Sequence, residues 1–313
     1  MNGMAVPRGR WNGLACALLA AAALLAGCGK QAPEAATAPA FVAPAARPKV
    51  AEYTFGVTPM SNFRNIYDVF RPIVDHLNAG LPDARLVLEV PRGLDEHAQQ
   101  LQARGFAFAL SNPYHSWRAT RHDGYHIFAK MGDDTAFRGI WIVRRDSAIH
   151  ALADLKGKKV SFPPRSALAA TMMTQLQLKQ AGIDPNKDIA ASYVGSQHAS
   201  IMAVFQKTAD AGATWPLAWS TFQRMHPAEA RQLEARYPTT SLINQAIVAR
   251  DDVPPALVRR VAELMAAMSE TERGRALLAQ VPITRFEPAS DAQYDVVRVF
   301  LEQYQRAFPG TQF

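Results

Sequence analysis

The chain has 313 residues, more than one compact core usually holds, so its length predicts two lobes. Hydrophobic residues make up 49% of the chain and charged residues 19%, which excludes a wholly disordered protein. The net charge of +7 is not gathered in a run of Lys and Arg. This distribution excludes a nucleic-acid-binding tail or helix and favours a small anionic solute or an anionic membrane surface as the partner.

The first 27 residues have the pattern of a signal peptide. Arg8 and Arg10 form a short positive region, and residues 14–25 form an apolar run too short for a comfortable transmembrane helix. The two cysteines of the chain, Cys16 and Cys28, both lie within its first thirty residues. The sequence therefore predicts an exported protein whose folded part has no disulfide and no thiol metal site.

Cys28 follows Ala26 and Gly27, and this stretch resembles the lipobox of bacterial lipoproteins. The resemblance implies cleavage before Cys28 and acylation of that cysteine, hence a membrane-anchored protein of the periplasm or cell envelope. The alternative is an ordinary signal peptide with a chance cysteine. Residues 28–50 are rich in Ala and Pro, a composition that predicts a disordered or extended tether between the anchor and the folded part.

Predicted strands and helices alternate along the first half of the folded part. A helix capped by Ser61 or Asn62 follows the first strand and ends near residue 77. Further helices are predicted at 94–103 and after the stretch 111–114 (SNPY). The predicted strands are 53–57, 86–90, 106–110, 125–130 and 139–143.

A second alternating set begins near residue 146. Helices are predicted at 149–157, closed by Gly157, at 167–181, stopped by Gly182, and from 197 to about 206. Strands are predicted at 159–162, 191–194, 211–214 and 245–249, and the chain is mainly helical from residue 254. This alternation predicts an α/β fold of parallel sheets covered on both faces, with the ligand beyond the carboxyl ends of the strands.

Small polar residues follow most of the predicted strands. Helix starts offer free backbone N–H groups and a positive dipole end, so their convergence suits an anion. Singly, each hydroxyl or amide is equally well explained as a helix cap, and His198 as a packing residue. The predicted ligand-binding residues are Thr58, Ser61, Asn62, Ser111, Asn112, Tyr114, Arg165, Ser166, Gln197, His198, Thr214 and Trp215.

Four stretches, in this order, resemble the periplasmic phosphate-, phosphite- and phosphonate-binding proteins of ABC transporters. They are residues 55–59 (FGVTP), 106–113 (FAFALSNP), 152–160 (LADLKGKKV) and 210–215 (DAGATW). The resemblance covers the chain from residue 53 to its end. It implies a type II periplasmic binding protein, with two doubly wound lobes joined by two crossing strands at 139–143 and 245–249. Residues 51–143 with 245–313 then form lobe 1, and residues 144–244 form lobe 2.

The resemblance also implies an oxyanion site at a Ser/Thr-rich helix start in the second lobe. Ser166 matches the first serine of that motif, but the following Thr and Ser are missing here. The family's histidine is Gln197 in this chain, with His198 next to it, and an aromatic hydroxyl after the third strand is replaced by Leu110. Arg165 is the residue that can supply charge in place of the lost hydroxyls.

The function predicted from these features is the capture of a small oxyanion between two lobes and its delivery to an ABC permease. The protein is expected to be a monomer without catalytic residues, cofactor or metal. One alternative is a sensory or envelope interaction lipoprotein, which the degraded Ser/Thr motif favours. A second is an enzyme on the same scaffold, for which His198 with Asp210 is the one pair available.

Overall fold

The computed structural model describes residues 50–60, 63–281 and 283–311 of the chain, and for residues 63–65 it describes the backbone alone. The predicted signal peptide, Cys28, the tether up to residue 49, Ser61 and Asn62 lie outside these ranges. No helix within the described ranges is both long and apolar enough to cross a membrane.

The described chain begins with four strands that alternate with three helices. The buried residues of the first helix recur at the spacing of one helix face, at Ile66, Phe70, Ile73 and Leu77, so this face packs on the sheet. The elements are β1 (Ala51–Val57), α1 (Phe63–Asn78), β2 (Ala84–Glu89), α2 (Leu94–Gln102), β3 (Phe108–Ser111), α3 (Pro113–His122) and β4 (Tyr125–Met131).

The middle of the chain builds a second sheet. Its first long helix begins as a π-helical stretch, Leu168–Met173, and continues without a break as α4 (Thr174–Gln180). A single 3-10 turn, Leu152–Leu155, stands where a helix over 149–157 is predicted. The other elements are β5 (Ile140–Arg144), β6 (Lys159–Phe162), β7 (Ala190–Tyr193), α5 (Gln197–Phe205), β8 (Ala211–Thr214), α6 (Pro216–Met225), α7 (Pro227–Ala230) and β9 (Leu233–Arg236).

The end of the chain returns to the first sheet. Its elements are β10 (Ala246–Arg250), α8 (Pro255–Ala267), α9 (Glu272–Ala279), β11 (Phe286–Pro288) and α10 (Asp295–Ala307). The first sheet has the strand order β11-β4-β10-β3-β1-β2, and the second has the order β7-β6-β8-β5-β9. The central strands of both sheets are buried on both faces, as helix-covered sheets require.

The prediction of parallel sheets is correct for only part of each sheet. β1 pairs in parallel with β2 and β3, and β6 pairs in parallel with β7 and β8. The strands that follow each crossing run the opposite way: β5 is antiparallel to β8, and β10 is antiparallel to both β3 and β4. The short edge strands β9 and β11 were not predicted, because an edge strand of three or four residues with charged side chains or proline shows no periodic apolar pattern.

Two segments connect the two sheets and lie side by side: residues 132–139, which include a 3-10 turn at Asp134–Ala136, and residues 237–245. The N–H of Thr239 donates to the Gly139 carbonyl at 2.9 Å, and the N–H of Leu242 donates to the Phe137 carbonyl at 2.9 Å. The buried Asn244 side chain donates to the Gly132 and Asp133 carbonyls, each at 3.0 Å. We call these two segments the hinge. They support the prediction of two crossings between the lobes, but the crossings lie in these segments and not in the strands predicted at 139–143 and 245–249. β5 lies in the second sheet, so the predicted lobe boundary at residue 143 is misplaced by about one strand.

Candidate ligand-binding cleft

A cleft between the two sheets is lined by the ends of strands and the starts of helices from both. The empty space of the cleft, counted together with its open mouth, is about 360 Å³. The lining residues are Thr58, Pro59, Met60, Leu94, Asn112, Phe137, Ala167, Leu168, Ala169, Ala170, Gln197, Trp215 and Gln245. Among these described residues none carries a charge, so the polar character of the cleft comes from amides, a hydroxyl and the backbone.

The first lobe contributes Thr58 and Asn112, which follow the neighbouring parallel strands β1 and β3. The N–H of Thr58 donates to the Leu110 carbonyl at 2.9 Å, which ties the two strand ends together. Asn112 caps α3, because its Oδ1 accepts from the N–H of His115 at 2.9 Å and Pro113 occupies the first helical position. The Asn112 amide group is therefore held at the cleft, where its Nδ2 also reaches the Ser166 carbonyl at 3.5 Å.

The second lobe contributes the backbone of the helix that begins at Leu168. The first N–H bonded back within this helix is that of Thr171, which donates to the Ala167 carbonyl at 2.8 Å. The N–H groups of Leu168, Ala169 and Ala170 therefore have no acceptor inside the helix, and all three residues line the cleft. Such a helix start is an anion-binding arrangement made of backbone alone.

Glycine at position 139 lets the hinge approach this helix start closely. A Cβ on Gly139 would lie 2.5 Å from the Ala169 carbonyl oxygen and 2.5 Å from the Thr174 methyl group. A larger residue would push the hinge away from the helix start. The position of the three free N–H groups therefore depends on this glycine.

Gln197, the first residue of α5, is oriented by a buried hydroxyl. Thr214 ends β8, is fully buried, and donates from its Oγ1 to Gln197 Oε1 at 2.8 Å. With its oxygen so engaged, the Gln197 amide turns its N–H donors to other partners. Ser196 caps the same helix by accepting from the N–H of Ala199 at 3.1 Å, so the start of α5 is well defined.

Aromatic side chains form one wall of the cleft. Trp215 is 4% exposed, precedes α6, and its ring packs edge-on against Phe137 of the hinge with centroids 5.7 Å apart. Met60 and Leu168 add further apolar surface. The cleft therefore pairs amide and hydroxyl groups with an apolar wall able to contact an organic substituent.

Of the twelve residues predicted to bind ligand, the structure brings four into the lining of the cleft: Thr58, Asn112, Gln197 and Trp215. Thr214 lies directly behind Gln197. Ser111 is fully buried next to Asn112, and its Oγ has no hydrogen-bond partner among the described residues. Tyr114 lies in the first turn of α3, half-buried against the core of the first lobe, where burial raises the pKa of its hydroxyl.

Three predicted residues lie beside the cleft rather than in its lining. The hydroxyl of Ser166 donates to Asp95 Oδ1 of α2 at 3.1 Å, which forms a bridge between the lobes at the mouth. Arg165 is exposed, with its guanidinium carbon 3.7 Å from the centre of the Tyr193 ring. His198 faces α6, where its ring lies 5.6 Å from Phe222 and 4.8 Å from His226, and burial lowers its pKa.

The pair His198 and Asp210, considered for an enzyme, is not formed. Asp210 precedes β8 and accepts from the N–H of Lys159 at 2.8 Å, whereas His198 lies beside the opposite end of that strand. Nothing therefore supports a catalytic role for these two residues. No group of three or more His, Cys, Asp or Glu side chains in the described part of the chain is arranged to hold a metal ion.

Two parts of the cleft were missed by the sequence analysis. The helix start after β6 was expected to hold an oxyanion through Ser166 and Arg165, whereas its lining of the cleft comes from Leu168, Ala169 and Ala170, which have no polar side chain. Gln245 was assigned to a strand, but it lies in the hinge just before β10, lines the cleft and is 2% exposed. Its Oε1 has no hydrogen-bond partner among the described residues.

Known proteins resemble this chain in sequence and in fold. Residues 55–294 match the family model described as "ABC transporter, phosphonate, periplasmic substrate-binding protein". A curated relative, the probable ABC transporter phosphite-binding protein PhnD1 of Prochlorococcus marinus, is 24% identical over 135 residues, or 41% of this chain and 46% of that protein. The chain thus aligns with about half the length of that relative.

Solved structures share the fold. The binding protein component of an ABC phosphonate transporter from Pseudomonas aeruginosa (PA3383) superposes with a TM-score of 0.75 at 15% identity, covering 82% of this chain and 87% of that one. PhnD1 from Prochlorococcus marinus in complex with methylphosphonate gives a TM-score of 0.73 at 18% identity, covering 82% and 98%. The architecture is thus that of type II periplasmic binding proteins. With the family model matching most of its length, the chain belongs to the periplasmic substrate-binding proteins of phosphonate ABC transporters.

Proposed function

We propose that the chain captures a small tetrahedral oxyanion, of the phosphonate, phosphite or phosphate class, in the cleft between its two lobes. The observation that carries the proposal is the free N–H groups of Leu168, Ala169 and Ala170 at the cleft, opposite Asn112 and Thr58. Backbone N–H groups and a positive helix end stabilise negative oxygen without a charged side chain. The methylphosphonate named for the PhnD1 complex makes this ligand class the first to test.

The cleft also supports a ligand with an organic substituent. Phe137, Trp215 and Met60 offer apolar surface that inorganic phosphate does not use. An alkylphosphonate can hold its oxygens between the helix start and the first lobe and its alkyl group on this wall. We therefore rank alkylphosphonates above phosphite and phosphate as ligands.

Isothermal titration calorimetry of the folded part of the chain, with methylphosphonate, phosphite, phosphate and acetate, tests the proposal. The expected result is saturable binding of one methylphosphonate per chain, tighter than phosphate, with acetate weakest. A bound ligand also raises the melting temperature, since at a hundred times its Kd it stabilises the protein by about 2.7 kcal/mol. Absence of heat and of thermal stabilisation with all four anions would instead favour the ligand-free interaction lipoprotein.

We further propose that the protein acts as a lipid-anchored donor to an ABC permease. The sequence around Cys28 supports the anchor, and family membership supports the transporter. Expression of the full chain with labelled palmitate is expected to label the wild type and to leave Cys28→Ser unlabelled. Equal labelling of both would refute the anchor, while uptake of methylphosphonate lost on deletion of the chain would support delivery rather than sensing.

A further inference from the structure

The buried amide of Gln245 is the most unusual polar group at the cleft. Both backbone groups of this residue are fixed: the N–H of Met131 donates to its carbonyl at 2.9 Å, and its own N–H donates to Asn244 Oδ1 at 2.8 Å. The side chain is 2% exposed and lies against the cleft, yet its Oε1 has no donor among the described residues. An acceptor held this way favours a ligand that brings a donor to it.

The chemistry of the cleft limits what that donor can be. A ligand ammonium group would need a carboxylate, and no described residue of the lining carries one. A phosphonate has a donor only when a proton remains on its oxygens, and the form that keeps both an O–H and a negative charge is the singly protonated hydrogenphosphonate. That form carries one negative charge, which suits a lining without a cation better than two charges do.

We propose that Gln245 is a specificity-determining residue that accepts the acid proton of a singly protonated oxyanion. The cleft then distinguishes a phosphonate monoanion from a sulfonate of the same shape and charge, because the sulfonate has no proton to donate. A site built around a hydrogen bond rejects an analogue that lacks the matching group, since the buried polar atom is left unpaired. This inference rests on the proposed function as an oxyanion-binding protein.

The test compares methylphosphonate with methanesulfonate by calorimetry, at a pH below the second ionisation of methylphosphonate, where both are tetrahedral monoanions. The wild type is expected to bind methylphosphonate at least about tenfold more tightly. Gln245→Leu is expected to weaken the binding of methylphosphonate by about tenfold. It should change the affinity for methanesulfonate by no more than about twofold, so the preference for methylphosphonate disappears. The matched control is Gln197→Leu, which removes N–H donors and should weaken both ligands alike.

The outcomes separate the two proposals. Equal wild-type affinity for the two ligands would overturn the role of Gln245 and leave oxyanion binding standing, and this measurement does not depend on the folding of any variant. Equal weakening of both ligands by Gln245→Leu, in a variant with a wild-type circular dichroism spectrum, would also overturn it. Failure of the wild type to bind either ligand would overturn both proposals.

Discussion

The two faces of the cleft, one from each lobe, differ in their chemistry. The first lobe presents side chains, Thr58, Asn112 and Gln245, each fixed by hydrogen bonds of its own backbone or helix cap. The second lobe presents mainly backbone, the N–H groups of Leu168, Ala169 and Ala170, in a stretch without a single polar side chain. A face made of backbone N–H groups cannot be recognised from the residue types in the sequence. A face made of side chains can be recognised in this way, and each of its contacts can be removed by a single substitution.

The first lobe has a further feature, a pair of buried histidines beneath the Asn112 cap. Desolvation lowers the pKa of both His97 and His115 to about 3, with lesser contributions from His115 to the former and from Arg118 to the latter. Their folded-state pKa values thus lie below the unfolded value of 6.5, so the unfolded chain binds more protons. The stability that these neutral rings provide is fully present above pH 6.5 and is lost as the pH falls towards 3.

Lowering the pH is therefore expected to give the largest difference in stability between the first lobe, which contains the two histidines, and the second lobe. Below pH 6.5 each pH unit costs about 1.4 kcal/mol of unfolding free energy per imidazole. As the pH is lowered to 5, the hydrogen-exchange protection factors of the amides in α2 and α3 should fall before those in α5. Urea unfolding at pH 5 should give a lower free energy of unfolding than at pH 7.5. His97→Leu should reduce the pH dependence by about half. An unfolding free energy that is the same at pH 5 and pH 7.5 would contradict this account.

A carboxylate introduced on the second-lobe face of the cleft should have the next largest effect, a loss of ligand affinity. Ala169→Asp places a negative charge beside the three free N–H groups, where it competes with the ligand and repels it. We expect methylphosphonate affinity to fall by about 100-fold or more. Because Ala169 is only 4% exposed, a wild-type circular dichroism spectrum of the variant is required. Ala169→Asn has the same size without the charge and should bind more tightly than Ala169→Asp. Calorimetry giving equal affinity for the two variants would show that charge at this face does not matter.

On the first-lobe face of the cleft, loss of a single side-chain amide should lower the ligand affinity. Asn112→Ser keeps a residue that caps helices well but removes the Nδ2 donor, so we expect about tenfold weaker methylphosphonate binding at nearly unchanged melting temperature. Asn112→Ala should weaken binding similarly and also cost about 1 kcal/mol of stability through the lost cap. If Asn112→Ser binds as tightly as the wild type, the amide does not contact the ligand.

The bridge at the mouth of the cleft should have the smallest effect. Asp95 accepts from Ser166, so Asp95→Asn keeps a carbonyl acceptor for that hydroxyl and removes a negative charge near the path of an anion. We expect at most about a threefold gain in methylphosphonate affinity, since solvent screens a charge at the mouth. Glu96→Gln, a similar charge change on the same helix, is the control. A large loss of affinity in Asp95→Asn alone would make the carboxylate part of the binding machinery.

The sequence predicted those parts of the structure that depend on side-chain pattern. Alternating apolar segments located the central strands and the helices between them, and cap residues located Asn112 and the start of α5. The reversal of β5 and β10 was not visible, because strand direction depends on how the chain crosses between sheets rather than on local periodicity. The helix start after β6 was predicted, but not that it lines the cleft with backbone, because Ala and Leu reveal nothing of the N–H groups that they leave free.

The missed and displaced side chains have equally physical causes. Ser166 and Arg165 were predicted from their place next to a helix start, but tertiary neighbours, Asp95 and the Tyr193 ring, engage them instead. Gln245 sits in an extended hinge whose sequence is compatible with a strand. Only the pairing of the hinge segments shows that its side chain lies at the cleft.

The central claim is that the free backbone N–H groups at the start of the 168–180 helix bind the oxyanion. Titration of ¹⁵N-labelled protein with methylphosphonate tests it directly by following the amide signals of Leu168, Ala169 and Ala170. The claim predicts that these three signals move downfield and saturate with the calorimetric Kd. Saturable binding that leaves all three amide signals in place would contradict it.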